Sequence, residues 1–417
     1  MRILHTADWH LGKTLETRER LPEQAAFVEE ICDLCEEEKV DLVLLAGDVF
    51  QSPNPSSAAE ELFYYALERL SANGSRGVVV IAGNHDSPDR LCASAPLARK
   101  SGITLIGRPI DALNPSPAFG TTGVRRLQAG PSWLELALPG CEHTAVVAAL
   151  PYPSESRLQQ LLAASLAEAD LQQGYNQQVG IIFRQLASHY RVDTVNLAMS
   201  HLYVQGGRMS DSEHPIQLGG AYTVDPATFP ANAQYVALGH LHRPQPVSAS
   251  PVPTRYAGSP LAYSFSEHDQ QKSVILLEAF PAEPIRLTEI PLCSGRRLLK
   301  WEVRGGWPEA MQRLTRGEAG DAWLDLTLHT DNLLSQEEIA ALRQVHPGIV
   351  GIHPLLPQMD RAAREERSGL SIEQLFTRFY EAQTGGAHPD EELIRLFLEL
   401  VQAGEADANE DAEEAAG

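Results

Sequence analysis

Two residues apart near the start of the chain stand Asp8 and His10, and at long intervals follow Asp48, Asn84, His85, Asp86, His201, His240 and His242. They fall into five short pieces: Asp8-x-His10, Gly47-Asp48, Gly83-Asn84-His85-Asp86, Ser200-His201 and Gly239-His240-x-His242. Carboxylate, amide and imidazole groups form a mixed oxygen and nitrogen donor set without thiolates. Such a set suits Mn²⁺, Fe²⁺, Zn²⁺ or Co²⁺ better than calcium or a structural thiolate-zinc site. The donors are too many for one tetrahedral ion, whereas two ions sharing a bridging carboxylate would use them all. A pair of ions roughly 3.5–4 Å apart activates water and stabilises both oxygens of an in-line phosphoryl displacement. Each piece alone has an ordinary reading. Asp8 or Asp48 could cap a following segment, His-x-His could be two exposed rings, and Gly-Asn-His-Asp could be a turn. Structural needs rarely assemble all five in this order, so together they predict a metal site. His5, His143, His189, His214, His268, His329, His346, His353 and His388 have no comparable context and are not assigned to it.

The five pieces need elements to position them. Arg2 to Thr6, Asp41 to Ala46 and Gly77 to Ala82 read as short apolar strands. Pro22 to Lys39 and Ala58 to Ser71 read as amphipathic helices between them, which implies buried parallel strands with helices on the faces. Ala145 to Leu150, Thr194 to Ser200, Gln234 to Leu238 and Ser273 to Glu278 are further strands, and Glu155 to Gln173 is helical. Every chemical piece follows a strand. In open α/β sheets ligand sites form beyond the carboxyl ends of strands, so the groups are expected along one edge. After about residue 280 the texture changes to a small α+β pattern: strands Arg297 to Arg304, Trp323 to His329 and Gly351 to Leu355, helices Pro308 to Thr315 and Ser335 to Val345. The segment Asp111 to Glu142 has no distinctive pattern.

With 417 residues, 43% hydrophobic and 21% charged, the chain suits two or three globular domains. No run approaches the ~18 apolar residues of a membrane span. The start Met1-Arg2-Ile3-Leu4-His5 lacks a signal-peptide apolar region, so a cytoplasmic location without membrane attachment is expected. The five scattered cysteines do not suggest a disulfide framework. Cys32-x-x-Cys35 lies at helical spacing with Phe27, Ile31 and Leu34 and reads as helix packing rather than a redox or zinc motif. A net charge of −22 argues against coating nucleic acid by bulk electrostatics, but not against a nuclease whose partner supplies basic surface. Part of the excess lies after Gly404, in a tail that reads as solvated and disordered.

The five pieces resemble the signature of calcineurin-like metallophosphoesterases, whose fold is a β-sandwich flanked by helices. The flanking residues narrow the resemblance to the SbcD family, the nuclease subunits of bacterial SbcCD complexes. They are Met1-Arg2-Ile3-Leu4-His5-Thr6-Ala7-Asp8-Trp9-His10-Leu11-Gly12, Gly47-Asp48-Val49-Phe50, Gly83-Asn84-His85-Asp86-Ser87, Gly239-His240-Leu241-His242-Arg243-Pro244-Gln245 and Tyr256-x-Gly258-Ser259-Pro260. The resemblance implies one metal held by Asp8, His10, Asp48 and His242. It implies a second held by Asp48, Asn84, His201 and His240, with Asp48 bridging and manganese as the usual ion. His85 would contact the scissile phosphate without binding metal, and Asp86 would orient His85 through a hydrogen bond. The implied domains are a nuclease domain (1–279), an α+β capping domain touching DNA (280–360), a linker and helix pair (361–404) and the acidic tail (405–417). The helix pair, with an apolar stripe of Leu393, Leu396, Phe397 and Leu400 that has no obvious local core, would dock on SbcC, an ATP-binding partner. The assembly would be a homodimer within a heterotetramer. Its activity would be exonuclease at DNA double-strand ends (3′ to 5′) and endonuclease on hairpins and single strands, in DNA repair, recombination and replication.

Two rival readings share the metal residues. A small-molecule phosphodiesterase of the same superfamily would not explain the capping domain and helix pair. A non-catalytic DNA-end scaffold would not need every metal ligand intact.

Overall fold

A computed structural model describes residues 1–116, 123–154, 156–158, 174–213 and 223–356, with positions 374, 376, 377, 380, 388–390, 393–395 and 397. It divides into two compact units, described separately: Met1–Lys300 with Ala319–Asp325 and Gly348–Val350, and Trp301–Glu318 with Leu326–Pro347 and the described residues from Gly351 onward.

In chain order the first unit contains β1 (Arg2–Thr6), α1 (Leu21–Glu37), β2 (Leu42–Ala46), α2 (Ser57–Ser71), β3 (Gly77–Ile81), β4 (Ile103–Ile106), β5 (Arg125–Gly130) and β6 (Trp133–Ala137). It continues with β7 (Ala145–Leu150), α3 (Tyr175–Leu186), β8 (Val195–His201), the short pair β9 (Tyr203–Val204) and β10 (Thr223–Val224), β11 (Tyr235–Gly239), β12 (Gln245–Pro246), β13 (Thr254–Tyr256), β14 (Ser273–Glu278) and β15 (Arg286–Pro291). One six-stranded sheet has the order β15-β14-β1-β2-β3-β4, and one seven-stranded sheet the order β12-β13-β11-β8-β7-β6-β5.

Strand alternation explains the layering. Side chains at successive positions point to opposite faces, so Leu4, Val43, Leu45, Val78 and Val80 pack outward against Phe27, Ile31, Phe63 and Leu67 of α1 and α2. Their neighbours Ile3, Leu42, Leu44, Val79 and Ile81 pack inward against Leu134, Leu136, Val147, Leu197 and Met199 of the second sheet. That sheet's outer face, with Ala148, Ala198, Val236 and Leu238, is covered by Val179, Ile182 and Phe183 of α3. The result is a helix, sheet, sheet, helix sandwich. Where strand and helix alternation predicted helices on the strand faces, the inner face is instead a second sheet, which is what the family resemblance implied.

Eight strands among the described residues escaped the sequence reading: β4, β5, β6, β15 and the short β9, β10, β12 and β13. Polar residues such as Arg125, Gln128 and Glu135 interrupt the apolar runs of β5 and β6, and the register slips between Arg126 and Gln128. β15 is an edge strand with mostly exposed residues.

The second unit draws on β16 (Leu298–Val303), α4 (Gly306–Thr315), β17 (Trp323–His329), α5 (Gln336–Val345) and β18 (Ile349–Leu355), whose strands form a sheet in the order β16-β17-β18. Val303, Ala310, Leu326, Leu328 and Leu342 are buried. Ser335 and Glu338 form the capping box anticipated at the start of α5. The Trp307 indole donates to the Glu338 carbonyl at 3.1 Å, tying α4 to α5. Phe376 and Phe397 stack with ring centroids 4.1 Å apart, so the apolar stripe does have a local partner at Phe397, and Leu393 is half-buried. Leu396, Leu400, most of the Glu155 to Gln173 stretch, the 361–368 linker and the acidic tail lie outside the described residues.

Candidate metal centre

β1, β2 and β3 are parallel to one another, as are β8 and β11, so each set delivers its following residues to one edge. Backbone bonds then join the edges. The Asp8 amide donates to the Gly47 carbonyl at 3.0 Å, the His10 amide to the Asp48 carbonyl at 3.0 Å, and the Tyr152 amide to the Ala82 carbonyl at 2.9 Å. Two glycines are required by close approach. A Cβ at Gly239 would stand 1.9 Å from the Ala46 carbonyl oxygen, and one at Gly83 would stand 2.1 Å from Asp48 Oδ1. Asp8, His10, Asp48 and His240 all adopt left-handed backbone conformations (φ of 54°, 46°, 50° and 105°), a strain typical of functional sites held by their surroundings.

These constraints bring all seven predicted ligand residues together. Asn84 Oδ1 lies 2.9 Å from His201 Nε2 and 3.0 Å from His240 Nδ1. His10 Nε2 lies 3.0 Å from His242 Nε2, and Asp48 Oδ2 lies 3.5 Å from His10 Nε2 and 3.4 Å from His201 Nε2. Asp8 Oδ1 accepts from the His240 amide at 2.8 Å, while its buried Oδ2 has no hydrogen-bond partner among the described residues. An unpartnered buried carboxylate oxygen beside converging imidazole nitrogens is the arrangement that a cation satisfies. Spacings near 3 Å also match neighbouring ligands on one ion with bonds of roughly 2.0–2.2 Å. Asp8, His10 and His242, and separately Asp8, Asp48 and His201, form clusters able to hold a metal.

The hydrogen bonds behind the ligands set their tautomers. His201 Nδ1 donates to the Ala46 carbonyl at 2.9 Å, which turns Nε2 toward the centre. Behind His242 is a relay with no sequence signal. Ser212 Oγ donates to Glu267 at 2.6 Å and therefore accepts from His242 Nδ1 at 2.5 Å, leaving Nε2 with its lone pair. Lys272 pairs with Glu267 at 2.5 Å and also donates to the His242 carbonyl at 2.8 Å. The Glu213 carboxylate accepts from the His242 amide at 2.7 Å. These residues lie up to tens of positions from His242, and only folding reveals their proximity.

Electrostatics separate the groups by role. Burial drives His10 and His242 well below the usual imidazole range, keeping both rings neutral. Burial also lifts Asp8 well above the carboxylate range, although His201 opposes it. Asp48 is held well below that range: burial works against its charge, but the surrounding imidazoles outweigh it. His201 is pulled down by burial, yet the Asp48 carboxylate carries it up to about 9.

His85 sits at the rim, with Nε2 4.0 Å from Asp48 Oδ2 and Nδ1 donating to the Gln51 carbonyl at 2.8 Å. The expected orienting bond from Asp86 is replaced at Nδ1 by this carbonyl. Asp86 instead accepts from the amides of Gly83 (2.8 Å), Phe50 (2.9 Å) and Val49 (3.2 Å), because its carboxylate lies beneath the loops rather than beside the ring. Asp86 thereby ties the Gly83 turn to the Asp48 loop. His5, set aside as structural, is buried against the Tyr235 hydroxyl at 3.0 Å.

A sandwich of this kind, with oxygen and nitrogen donors able to hold metal from five loops at one edge, defines a metal-dependent phosphoesterase. Comparison with known proteins agrees: the calcineurin-like phosphoesterase family matches residues 1–244. The family described as the type 5 capsule protein repressor C-terminal domain matches residues 295–384. The SbcD subunit of the SbcCD nuclease from Bacillus subtilis is 45% identical over 406 residues, covering 97% of this chain and 99% of its own. The protein of the same name from Rhodobacter capsulatus is 31% identical over 390 residues, covering 87% and 89%. The chain belongs to the calcineurin-like phosphoesterases and, within them, to the SbcD family of metal-dependent nucleases. Divalent metal is thus its cofactor class. No helix among the described residues is long and apolar enough to cross a membrane.

Proposed function

We propose that this nuclease hydrolyses DNA phosphodiesters at double-strand ends as a 3′ to 5′ exonuclease, and in hairpins and single strands as an endonuclease, in DNA repair, recombination and replication. The observation that carries the reading is the convergence of Asp8, His10, Asp48, Asn84, His201, His240 and His242 around an unpartnered carboxylate oxygen, in a chain whose relatives are named as nucleases. Asp8, His10, Asp48 and His242 would hold one ion, and Asn84, His201 and His240 the other with Asp48 shared; the proposed ion is Mn²⁺. When bound, the two cations supply activation of water and neutralisation of charge on the phosphate. The chain's own residues do the rest. The Ala46 carbonyl and Ser212 fix the tautomers of His201 and His242. With Nδ1 of His85 committed to Gln51, its Nε2 faces the phosphate and the departing 3′ oxygen. Asp86 holds the loops that carry Asp48 and His85.

The relatives' name ties them to an SbcCD complex. We assign Leu393, Leu396, Phe397 and Leu400 to docking on SbcC, residues 280–360 to capping and DNA contact, and the assembly to a homodimer within a cytoplasmic heterotetramer. An acidic chain then meets DNA through surface shared with its partner. Linear duplex DNA and an aryl phosphodiester, each assayed with manganese and SbcC, test the reading. Duplex cleavage is expected; hydrolysis of the aryl ester alone would overturn it.

A further inference from the structure

On β5 the expected alternation is inverted. Arg126 is 8% exposed while its neighbour Leu127 is 38% exposed. Arg126 lines a cavity of about 460 Å³ together with Arg99, Arg108, Asp89 and Asp111, and the cavity contains none of the dimetal ligands. Its two carboxylates are already engaged. Asp89 receives both arms of the Arg108 guanidinium at 2.8 and 2.5 Å, and Asp111 accepts the amides of Gly107 at 3.2 Å and Arg108 at 2.7 Å. Arg126 Nε is buried without a hydrogen-bond partner, and neither Arg126 nor Arg99 has an ion pair among the described residues. Burial weakens the hold of Arg126 on its proton, and the like charge of Arg99 weakens it further. A buried guanidinium sharing a cavity with another arginine and without an ion pair among the described residues, in a chain of net charge −22, is a strong departure from the rule that buried charges are paired.

We propose that this cavity is an anion site that binds a phosphate group between Arg126 and Arg99. The planar guanidinium fork matches phosphate oxygens, and the volume lies within the roughly 300–1,000 Å³ of small-ligand sites. The same chemistry could arrive as free phosphate, as a mononucleotide or as a phosphate of the DNA backbone. The site stands independently of the dimetal centre, so it is tested in EDTA, where that centre has no metal with which to hold phosphate.

Calorimetric titration with inorganic phosphate, 5′-dAMP and an unphosphorylated short duplex should show saturable binding of at least one probe to the wild-type chain. Affinity should fall about tenfold or more in R126M and several-fold in R99Q, as expected for charge-assisted hydrogen bonds. Tightest binding by phosphate or dAMP assigns the site to a free ligand, and tightest binding by the duplex assigns it to the backbone; either result sustains the site. In phosphate-free buffer R126M should melt no lower than wild type, because it removes a buried unpaired charge. No saturable binding of any probe, unchanged affinity in R99Q, or a melting point of R126M well below wild type would overturn the proposal. Arg99 is exposed, so R99Q tests the anion site without removing a buried group.

Discussion

His201 shows how a single side chain couples metal, proton and stability. Its value of about 9 lies above the ordinary 6.5. The metal-free protein therefore gains stability from this proton below pH 6.5 and loses it as pH rises through about 9. A cation at Nε2 must displace the same proton, so metal binding should release a proton and tighten as pH rises toward about 9. Calorimetry in two buffers of different ionisation enthalpy measures that release; pH-independent affinity with no proton released would remove His201 from the ligand set. His85 poses a different question, because it stands at the rim with its Nδ1 anchored. His85→Ala should keep its metal content and DNA binding while cleavage falls by roughly 10²–10⁴-fold, the usual contribution of general acid–base catalysis. Metal analysis alongside a rate assay decides, and undiminished cleavage would exclude His85 from the chemistry.

At the scale of elements, the site depends on two sheets staying in register with each other. Leu197 of β8 is fully buried between them, and β8 ends in His201. Leu197→Ala should cost about 2–5 kcal/mol, as large-to-small core substitutions do. Denaturant unfolding reads that cost, and a loss below about 0.5 kcal/mol, the range of ordinary surface changes, would mean the inter-sheet core is not what holds the strand. The helices were legible because their apolar residues recur on one face. Cys32 and Cys35 illustrate the point: both are buried in α1, and burial lifts each thiol to about 12, as suits packing rather than redox work. β5, β6 and β15 were illegible because polar residues interrupt their apolar runs.

For the molecule as a whole, the acidic charge and the C-terminal helical residues raise the matter of partners. Phe397 stacks on Phe376, so the stripe contributes to the helical pair as well as to any docking face. Replacing Leu396 and Phe397 with aspartate should abolish co-purification with SbcC. Cleavage of a small phosphodiester by the first unit should remain within about twofold of wild type, because the change touches none of the proposed metal ligands. Normal co-purification would refute the docking assignment.

By itself the sequence determined the donor set, because residue type dictates coordination chemistry, and it determined the parallel strands, because continuous apolar runs must be buried on both faces. The nine polar residues of the five pieces were therefore readable before any fold was known, and the family resemblance singled out seven of them as proposed ligands. What only the tertiary structure decided was orientation: Gln51 rather than Asp86 at the His85 ring, the Ser212–Glu267–Lys272 relay behind His242, and Arg126 buried in a cavity that Arg99 also lines. Those contacts join residues from separate segments of the chain through hydrogen bonds and charge. Local pattern carries no information about which distant side chain will lie within 3 Å, because the packing of whole sheets and loops sets that distance.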